Sequence, residues 1–164
     1  MRRLILLRHA KTERQAASGA DFDRALTERG RTDAARTAES LAAAGLIADL
    51  ALVSTAVRAR QTFEAAKAFL PDVRLELVPT LYNAAPETLL RAAQKANGDT
   101  VLVIAHNPGV HALAMELVEG ALCEPTMRAE IQAGFPTATA AVFEFGDGRT
   151  GCLGVFNAHS GGAT

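Results

Sequence analysis

Two short apolar runs that each end on a histidine constrain the fold of this chain of 164 residues most strongly. Residues 4–7 lead into Arg8 and His9, and residues 100–105 lead into His106. Unbroken apolar runs of this length, bounded by polar or turn residues, predict strands that are buried on both faces, as in a parallel sheet. Each strand would deliver an imidazole to its carboxyl end, which is the edge where α/β sheets bind ligands.

The rest of the chain alternates between helical and extended patterns. Thr27 is a candidate N-cap for a helix that ends at Gly45, and Asn107 is a candidate cap for a helix that begins with Pro108. Helices are predicted over residues 28–44, 54–70, 86–96 and 108–119, with a short helix or loop over 123–132. Strands are predicted over residues 4–8, 49–53, 74–78, 100–105, 137–145 and 152–157, and residues 146–148 carry a hairpin signal between the last two.

The composition fits one globular domain and excludes several classes of protein. Apolar residues make up 49% of the chain, charged residues 21%, and the net charge of −1 argues against nucleic-acid or membrane-surface partners. Cys123 and Cys152 lack CxxC spacing, so neither a zinc site nor a disulfide framework is implied. No apolar run approaches the ~18 residues of a membrane span, and we expect a cytoplasmic protein.

Arg8, His9, Arg58 and His106 are predicted to meet at one edge of the sheet. The carboxyl ends of parallel strands lie on the same side, and Arg58 falls in the first turn of a helix that follows another strand. Guanidinium groups match the oxygens of a phosphoryl group, and their charge keeps a neighbouring imidazole neutral. A neutral His9 could attack phosphorus, and His106 could donate a hydrogen bond to a phosphoryl oxygen.

A metal site is the competing interpretation of the histidines. His106 and His111 are five residues apart, whereas a helical pair of ligands needs a spacing of four, and no acidic residue lies between them as in H-E-x-x-H. We therefore expect no metal and no cofactor, with His111 packed or solvated on its helix and His159 in a frayed tail.

Four separated motifs, LRHA at 7–10, FDRALTERG at 22–30, VSTAVRARQT at 53–62 and IAHNPG at 104–109, resemble the histidine phosphatase superfamily. More narrowly, they are similar to its small phosphohistidine phosphatase branch. The length of the chain predicts one domain, over residues 1–158, and the small polar residues that follow predict a frayed tail over 159–164. The resemblance implies a three-layer α/β/α sandwich of the phosphoglycerate-mutase-like type, with a mostly parallel central sheet.

The resemblance also implies roles for individual residues. Arg8 and His9 match the Arg-His pair of the family, and Arg58 and His106 complete its phosphate pocket. Arg24 matches a position at the mouth of the site, where it binds substrate or only pairs with Asp21 or Asp23. Asn107 lies beside His106, where it binds substrate or only caps a helix.

The proton donor is the departure from the family pattern. Larger members carry an inserted acid for the leaving alkoxide, but residues 80–83 offer no carboxylate, and Asp21, Asp23 and Glu87 remain the candidates. Because the imidazole of a phosphohistidine leaves with little help, the missing acid favours a P–N bond.

The sequence therefore predicts a metal-independent phosphoric monoester or phosphoramidate hydrolase that acts on phosphohistidine in a protein through a covalent intermediate on His9. A phosphatase of small phosphorylated metabolites and a non-catalytic phosphate-binding module are the alternatives.

Overall fold

The computed structural model describes residues 1–159, and its centre is a mixed, mostly parallel sheet of seven strands in the order β3-β2-β4-β1-β6-β7-β5. The strands are β1 (Arg3–Arg8), β2 (Leu50–Val53), β3 (Arg74–Leu77), β4 (Thr100–Ala105), β5 (Ala121–Leu122), β6 (Ala140–Gly146) and β7 (Arg149–Phe156). The helices are α1 (Glu28–Ala43), α2 (Val57–Ala66), α3 (Pro86–Lys95), α4 (Gly109–Glu119) and α5 (Pro125–Ala133).

Alternate residues of the central strands feed two separate cores, which makes three layers. In β1, Leu4 and Leu6 pack with the apolar residues of α3, α4 and α5, whereas Ile5 and Leu7 pack with those of α1 and α2. All four side chains are at most 1% exposed. Because β1 is covered on both faces, its sequence is an unbroken apolar run rather than an alternating one. The predicted α/β/α architecture is confirmed.

Several predicted boundaries are confirmed by their local chemistry. The Thr27 hydroxyl accepts a hydrogen bond from the backbone N–H of Gly30 at 2.9 Å, which caps the start of α1, and Gly45 ends this segment with φ +72°. Asp147 and Gly148 both have positive φ in the two-residue turn between β6 and β7, as a tight hairpin turn requires.

Other boundaries differ from the prediction. β6 begins at Ala140 rather than at residue 137. β6 ends at Gly146 and β7 begins at Arg149 rather than at residue 152, because the hairpin pairs both strands up to its two-residue turn. The helix predicted over residues 54–70 is α2 followed by a short 3₁₀ turn, and the two-residue strand β5 was missed. The prediction of Asn107 as a helix cap is wrong, since its side-chain amide donates instead to the carbonyl of Phe135 at 3.0 Å.

The register of the parallel strands brings three strand ends to one edge of the sheet. Arg8, the last residue of β1, pairs with Ala105 at the end of β4, and Val53 at the end of β2 pairs with Ile104. The residues that follow these strands, His9, Ser54 and His106, are therefore neighbours.

Within residues 1–159, no helix is long and apolar enough to cross a membrane. In the same part of the chain, Cys123 and Cys152 are free thiols. Most of the predicted tail, residues 160–164, lies outside the described residues.

Candidate active site

His9 and His106 face each other at the ends of β1 and β4. Their ring centroids are 5.2 Å apart, and the two residues are only 6% and 2% exposed. Both strands are held in register by the central sheet, so the backbone fixes the separation of the two rings. The structure thus brings together the two histidines that the sequence predicted at one site.

His9 carries its proton on Nδ1. This atom lies 2.8 Å from the carbonyl oxygen of Ala10, and a carbonyl oxygen can only accept a hydrogen bond. Nε2 is therefore the atom with a free lone pair. Burial lowers the pKa of His9 to about 4, and the charges of Arg58 and Arg8 act in the same direction, so the ring is neutral at pH 7.

His106 is also neutral at pH 7, since burial and the charge of Arg58 lower its pKa to about 3. Its Nε2 lies 2.7 Å from the hydroxyl oxygen of Ser54, the first residue after β2. When this hydroxyl donates to Nε2, the proton of the ring is on Nδ1 and available to a ligand.

Arg58 and Arg8 bring two guanidinium groups to the histidines. Arg58 is 3% exposed and donates to both the backbone carbonyl and the carboxylate of Asp21, at 2.8 and 3.1 Å. Arg8 donates to the carbonyl of Phe135 at 3.0 Å, and burial followed by the charge of Arg58 lowers its pKa. Two nearby cations that are largely removed from water favour the binding of an anion.

Asp21 connects the loop after β1 to this cluster. Its carboxylate accepts from Arg24 Nε at 2.9 Å, from Arg58 Nη2 at 3.1 Å and from the hydroxyl of Tyr82 at 2.8 Å. The hydrogen bond from Tyr82 and those from the two arginines lower the pKa of Asp21 to about 2. Because the carboxyl group is ionised at neutral pH, the structure argues against the predicted role of Asp21 as a proton donor.

The other two candidate donors lie apart from the histidines. Asp23 accepts from the hydroxyl of Ser18 at 2.7 Å within the exposed loop, and Glu87 is an exposed residue in the first turn of α3. Among residues 1–159, neither carboxylate forms a hydrogen bond or ion pair with Arg8, His9, Arg58 or His106.

Arg24, which the resemblance assigned to the mouth of the site, is linked to the site through Asp21. It forms the ion pair with Asp21, and it also donates to the hydroxyl of Thr12 at 2.7 Å. Because Asp21 also binds Arg58, the ion pair of Arg24 is part of the site rather than an isolated surface contact.

Sequence reasoning missed the residues that hold the site together. The hydroxyl of Thr62 accepts from the backbone N–H of Ala10 at 3.0 Å and donates to the carbonyl of Arg58 at 2.7 Å, which links the end of β1 to α2. The ring of Tyr82 lies 5.4 Å from that of His106. Tyr82 is the single tyrosine of the chain and lies within residues 80–83, the stretch that lacks a carboxylate, so its ring was a detectable signal.

Four buried polar atoms have no hydrogen-bond partner in the described part of the chain. They are Arg8 Nε, Arg58 Nε, His106 Nδ1 and Asn107 Oδ1, and we refer to them as the open polar atoms. Buried polar groups in folded proteins are almost always paired with protein groups, water or a ligand, so several such atoms on neighbouring residues are available to a polar ligand. The two guanidinium N–H groups and the Nδ1–H of His106 would suit the oxygens of an anion.

The described residues contain no group of three or more His, Cys, Asp or Glu side chains that could hold a metal ion. His111 donates from Nε2 to the carbonyl of Ile131 at 2.8 Å, and its ring stacks on Phe135. Its role in packing was one of the two predicted alternatives.

A three-layer α/β/α fold that presents two neutral histidines, a buried arginine and a partly buried arginine at one sheet edge defines a class of phosphate-handling proteins. The chain belongs to the histidine phosphatase superfamily (branch 1), whose family model matches residues 4–86. The family and the similar structures support phosphatase activity.

Individual relatives are similar over nearly the whole chain. An uncharacterized protein of Mycobacterium tuberculosis is 32% identical over 159 residues, which cover 93% of this chain and 98% of the relative. The structure of the proposed phosphohistidine phosphatase SixA of Agrobacterium tumefaciens is 32% identical, with a TM-score of 0.81 over 94% of this chain and 96% of that one. A structure of the protein histidine phosphatase SixA complexed with tungstate is 25% identical, with a TM-score of 0.73 over 95% of this chain and 97% of that one.

Proposed function

We propose that this chain is a metal-independent phosphatase that removes the phosphoryl group from phosphohistidine in a protein through a covalent intermediate on His9. The observation that carries the proposal is the set of open polar atoms on Arg8, Arg58 and His106, the residues whose charges or ring lie near the neutral His9 ring. Arg8 Nε, Arg58 Nε and His106 Nδ1 would donate to phosphoryl oxygens, and Nε2 of His9 would attack phosphorus.

The charge of the site supports a phosphoryl substrate. With both histidines neutral, the guanidinium groups of Arg8, Arg24 and Arg58 and the carboxylate of Asp21 leave a net charge of about +2. A phosphoryl group carries ~1.5 to 2 negative charges near neutral pH. The protein's own cations therefore balance the substrate, without a metal ion in the scheme.

In the first step, the lone pair of Nε2 forms a bond to phosphorus, while the bond from phosphorus to the leaving nitrogen breaks and its electron pair stays on that nitrogen. If the other nitrogen of the leaving ring carries a proton, the ring departs as neutral imidazole. The positive charge passes to the phosphorylated ring of His9, whose Nδ1–H donates to the carbonyl of Ala10.

In the second step, the oxygen of a water molecule attacks phosphorus. The bond to Nε2 breaks, its electron pair returns to the His9 ring, and phosphate leaves as dihydrogen phosphate with both protons of the water. The His9 ring is again neutral and keeps its proton on Nδ1, so the cycle closes without a carboxylic acid.

The ionised state of Asp21 supports this substrate class. An alkoxide leaving group needs a proton, and Asp21, the carboxyl group at the site, is ionised at neutral pH. A protonated phosphohistidine needs no such proton. The similarity to SixA proteins described as phosphohistidine phosphatases supports the same choice.

The experiment that tests the proposal is trapping of the intermediate. The protein is mixed with a phosphohistidine peptide labelled on phosphorus, quenched in base and digested, and we expect base-stable, acid-labile label on the peptide that contains His9. His9→Ala should abolish both label and turnover while circular dichroism shows an intact fold, and His111→Gln, a histidine outside the site, should retain both. Full turnover in His9→Ala would contradict the assignment of the nucleophile.

The role of His106 is tested separately. Removing a preorganised hydrogen-bond donor to the transition state typically lowers kcat by about 10²- to 10³-fold, and we expect a loss of this size in His106→Ala. An unchanged kcat would contradict the role. A kcat/KM that is much higher for sugar phosphates than for phosphohistidine peptides would favour the small-metabolite alternative.

A further inference from the structure

We propose that the rings of Phe22 and Tyr82 form the leaving-group side of the pocket and select substrates whose phosphoryl group is attached to a flat ring. This inference rests on the proposed role of His9 as the nucleophile, and it adds the residues that recognise what the phosphoryl group is attached to. Neither residue takes part in the bond-forming and bond-breaking steps described above.

The aromatic rings of the site form a continuous row. The ring centroids of His9 and His106 are 5.2 Å apart, those of His106 and Tyr82 are 5.4 Å apart at 87°, and those of Tyr82 and Phe22 are 5.1 Å apart at 84°. All three separations lie within the ~4.5–7 Å range of aromatic contacts. We refer to the outer part of this row, Tyr82 and Phe22, as the aromatic wall.

The aromatic wall extends from the buried histidines to the surface. His9 and His106 are buried, whereas Phe22 and Tyr82 are only partly buried and keep accessible ring surface. A partly exposed aromatic pair beside a buried polar cluster offers apolar contact to the part of a substrate that remains outside the phosphate pocket.

The position of Tyr82 is fixed rather than free. The preceding residue, Leu81, is fully buried. The hydroxyl of Tyr82 donates to the carboxylate of Asp21 at 2.8 Å, and the guanidinium carbon of Arg58 lies 5.7 Å from the centroid of the Tyr82 ring. Phe22 follows Asp21 in the same 3₁₀ turn. The residues that position Arg58 for phosphate therefore also position the aromatic wall, which couples the two parts of the pocket.

The geometry of the reaction directs the leaving group outward. An attacking Nε2 approaches phosphorus to about 3–3.5 Å, and the leaving atom departs on the opposite side of phosphorus. His9 and His106 are buried, and the leaving ring belongs to a protein that stays in solvent, so the leaving group lies on the exposed side of phosphorus. Tyr82 and Phe22 are the partly exposed rings of the row and are assigned to that side. A flat ring there could pack against Tyr82 or Phe22, whereas a small acyl group offers little surface for such contact.

A ring attached to a phosphoryl group occurs in phosphohistidine and in phosphotyrosine, and an assay can separate the two. The substrates are a phosphohistidine peptide, the matched phosphotyrosine peptide, and acetyl phosphate, which has a good leaving group but no ring. For each ring substrate, the measured quantity is its kcat/KM divided by that of acetyl phosphate, which we call the ring preference.

The variants separate the ring of Tyr82 from its hydroxyl. Tyr82→Leu removes the ring and should lower the ring preference for the phosphohistidine peptide by about tenfold. Tyr82→Phe keeps the ring, loses only the hydrogen bond to Asp21, and should retain the preference. Phe22→Leu removes the outer ring and keeps the ring and hydroxyl of Tyr82, and it should lower the preference in the same direction as Tyr82→Leu.

The outcomes distinguish this inference from the function on which it rests. A wild-type protein that is active through His9 but whose ring preference is unchanged in both Tyr82→Leu and Phe22→Leu would overturn the aromatic wall alone. Equal losses on all substrates would also overturn it, since they indicate a general disturbance of the site. A wild-type protein without activity on any substrate, or an active His9→Ala, would overturn the proposed function and this inference with it. A larger ring preference for the phosphotyrosine peptide than for the phosphohistidine peptide would support the role of the aromatic wall, but it would replace phosphohistidine by phosphotyrosine as the substrate.

Discussion

Acidification from about pH 8 to pH 5 should destabilise the protein through His9 and His106. Burial lowers the pKa of these residues to about 4 and about 3, whereas an unfolded chain has histidine pKa values of about 6.5. Between pH 6.5 and pH 4, both histidines therefore bind protons in the unfolded chain and remain neutral in the native protein. Protonation favours the unfolded state, so the free energy of unfolding falls as the pH falls.

The size of the effect follows from these pKa values. For each histidine, the free energy of unfolding falls by about 1.4 kcal/mol for every pH unit below the pKa of the residue in the unfolded chain. This decrease continues until the pH reaches the pKa of the residue in the folded protein. At pH 5 this amounts to roughly 2 kcal/mol for each residue, or about 4 kcal/mol together. Single domains have a total unfolding free energy of only ~5–15 kcal/mol, so the loss is readily measured. Asp21 has a pKa of about 2, so its protonation affects the free energy of unfolding only below pH 5.

Urea unfolding followed by circular dichroism at both pH values measures the effect. We expect the wild-type protein to lose about 4 kcal/mol at pH 5, and His9→Gln and His106→Gln each to lose about 2 kcal/mol. Arg60→Gln, an exposed substitution two residues from Arg58, should keep the full loss. A wild-type loss below about 1 kcal/mol, or a full loss in His9→Gln, would refute the burial of neutral histidines.

Three further predictions concern packing and chemistry. Gly109→Ala should destabilise the protein by about 1–3 kcal/mol in thermal unfolding, because its Cβ would lie 2.0 Å from a backbone carbonyl oxygen, whereas Gly120→Ala has open space and should not. Thr62→Val should cost about 1–3 kcal/mol in urea unfolding, since it leaves the buried N–H of Ala10 unpaired, and an unchanged stability would contradict the bridging role of this hydroxyl. A chelator should leave the phosphatase rate unchanged, because arginines supply the positive charge, and restoration of a lost rate by added metal would contradict the proposed chemistry.

The central strands could be predicted from the sequence, and the outer ones only in part. The strand at residues 100–105 was predicted to the residue, because a strand covered on both faces leaves an unbroken apolar run. The two-residue strand β5 was missed, since its pairing with β7 depends on the course of the chain and not on any local pattern. Asn107 resembled a helix cap locally, but the tertiary fold brings the carbonyl of Phe135 to its amide.

The grouping of the candidate site was likewise predictable where it depends on strand ends. His9 and His106 follow parallel strands, and the carboxyl ends of such strands share one edge of the sheet. The contacts of Asp21 with Arg58 and Tyr82 join positions 37 and 61 residues apart, and the sequence offered Asp21 only as a candidate acid or as an ion-pair partner of Arg24.

The sequence alone determined the class of fold, the family and the residue types at the candidate site, because burial periodicity and strand-end motifs are local properties of the chain. Only the tertiary structure decided the protonation states and contacts of these residues. It decided that Nε2 of His9 is the free nitrogen, that Asp21 is ionised and that Tyr82 lies against His106. The physical reason is that protonation and hydrogen bonding depend on burial and on the charges nearby, and those neighbours come from distant parts of the chain.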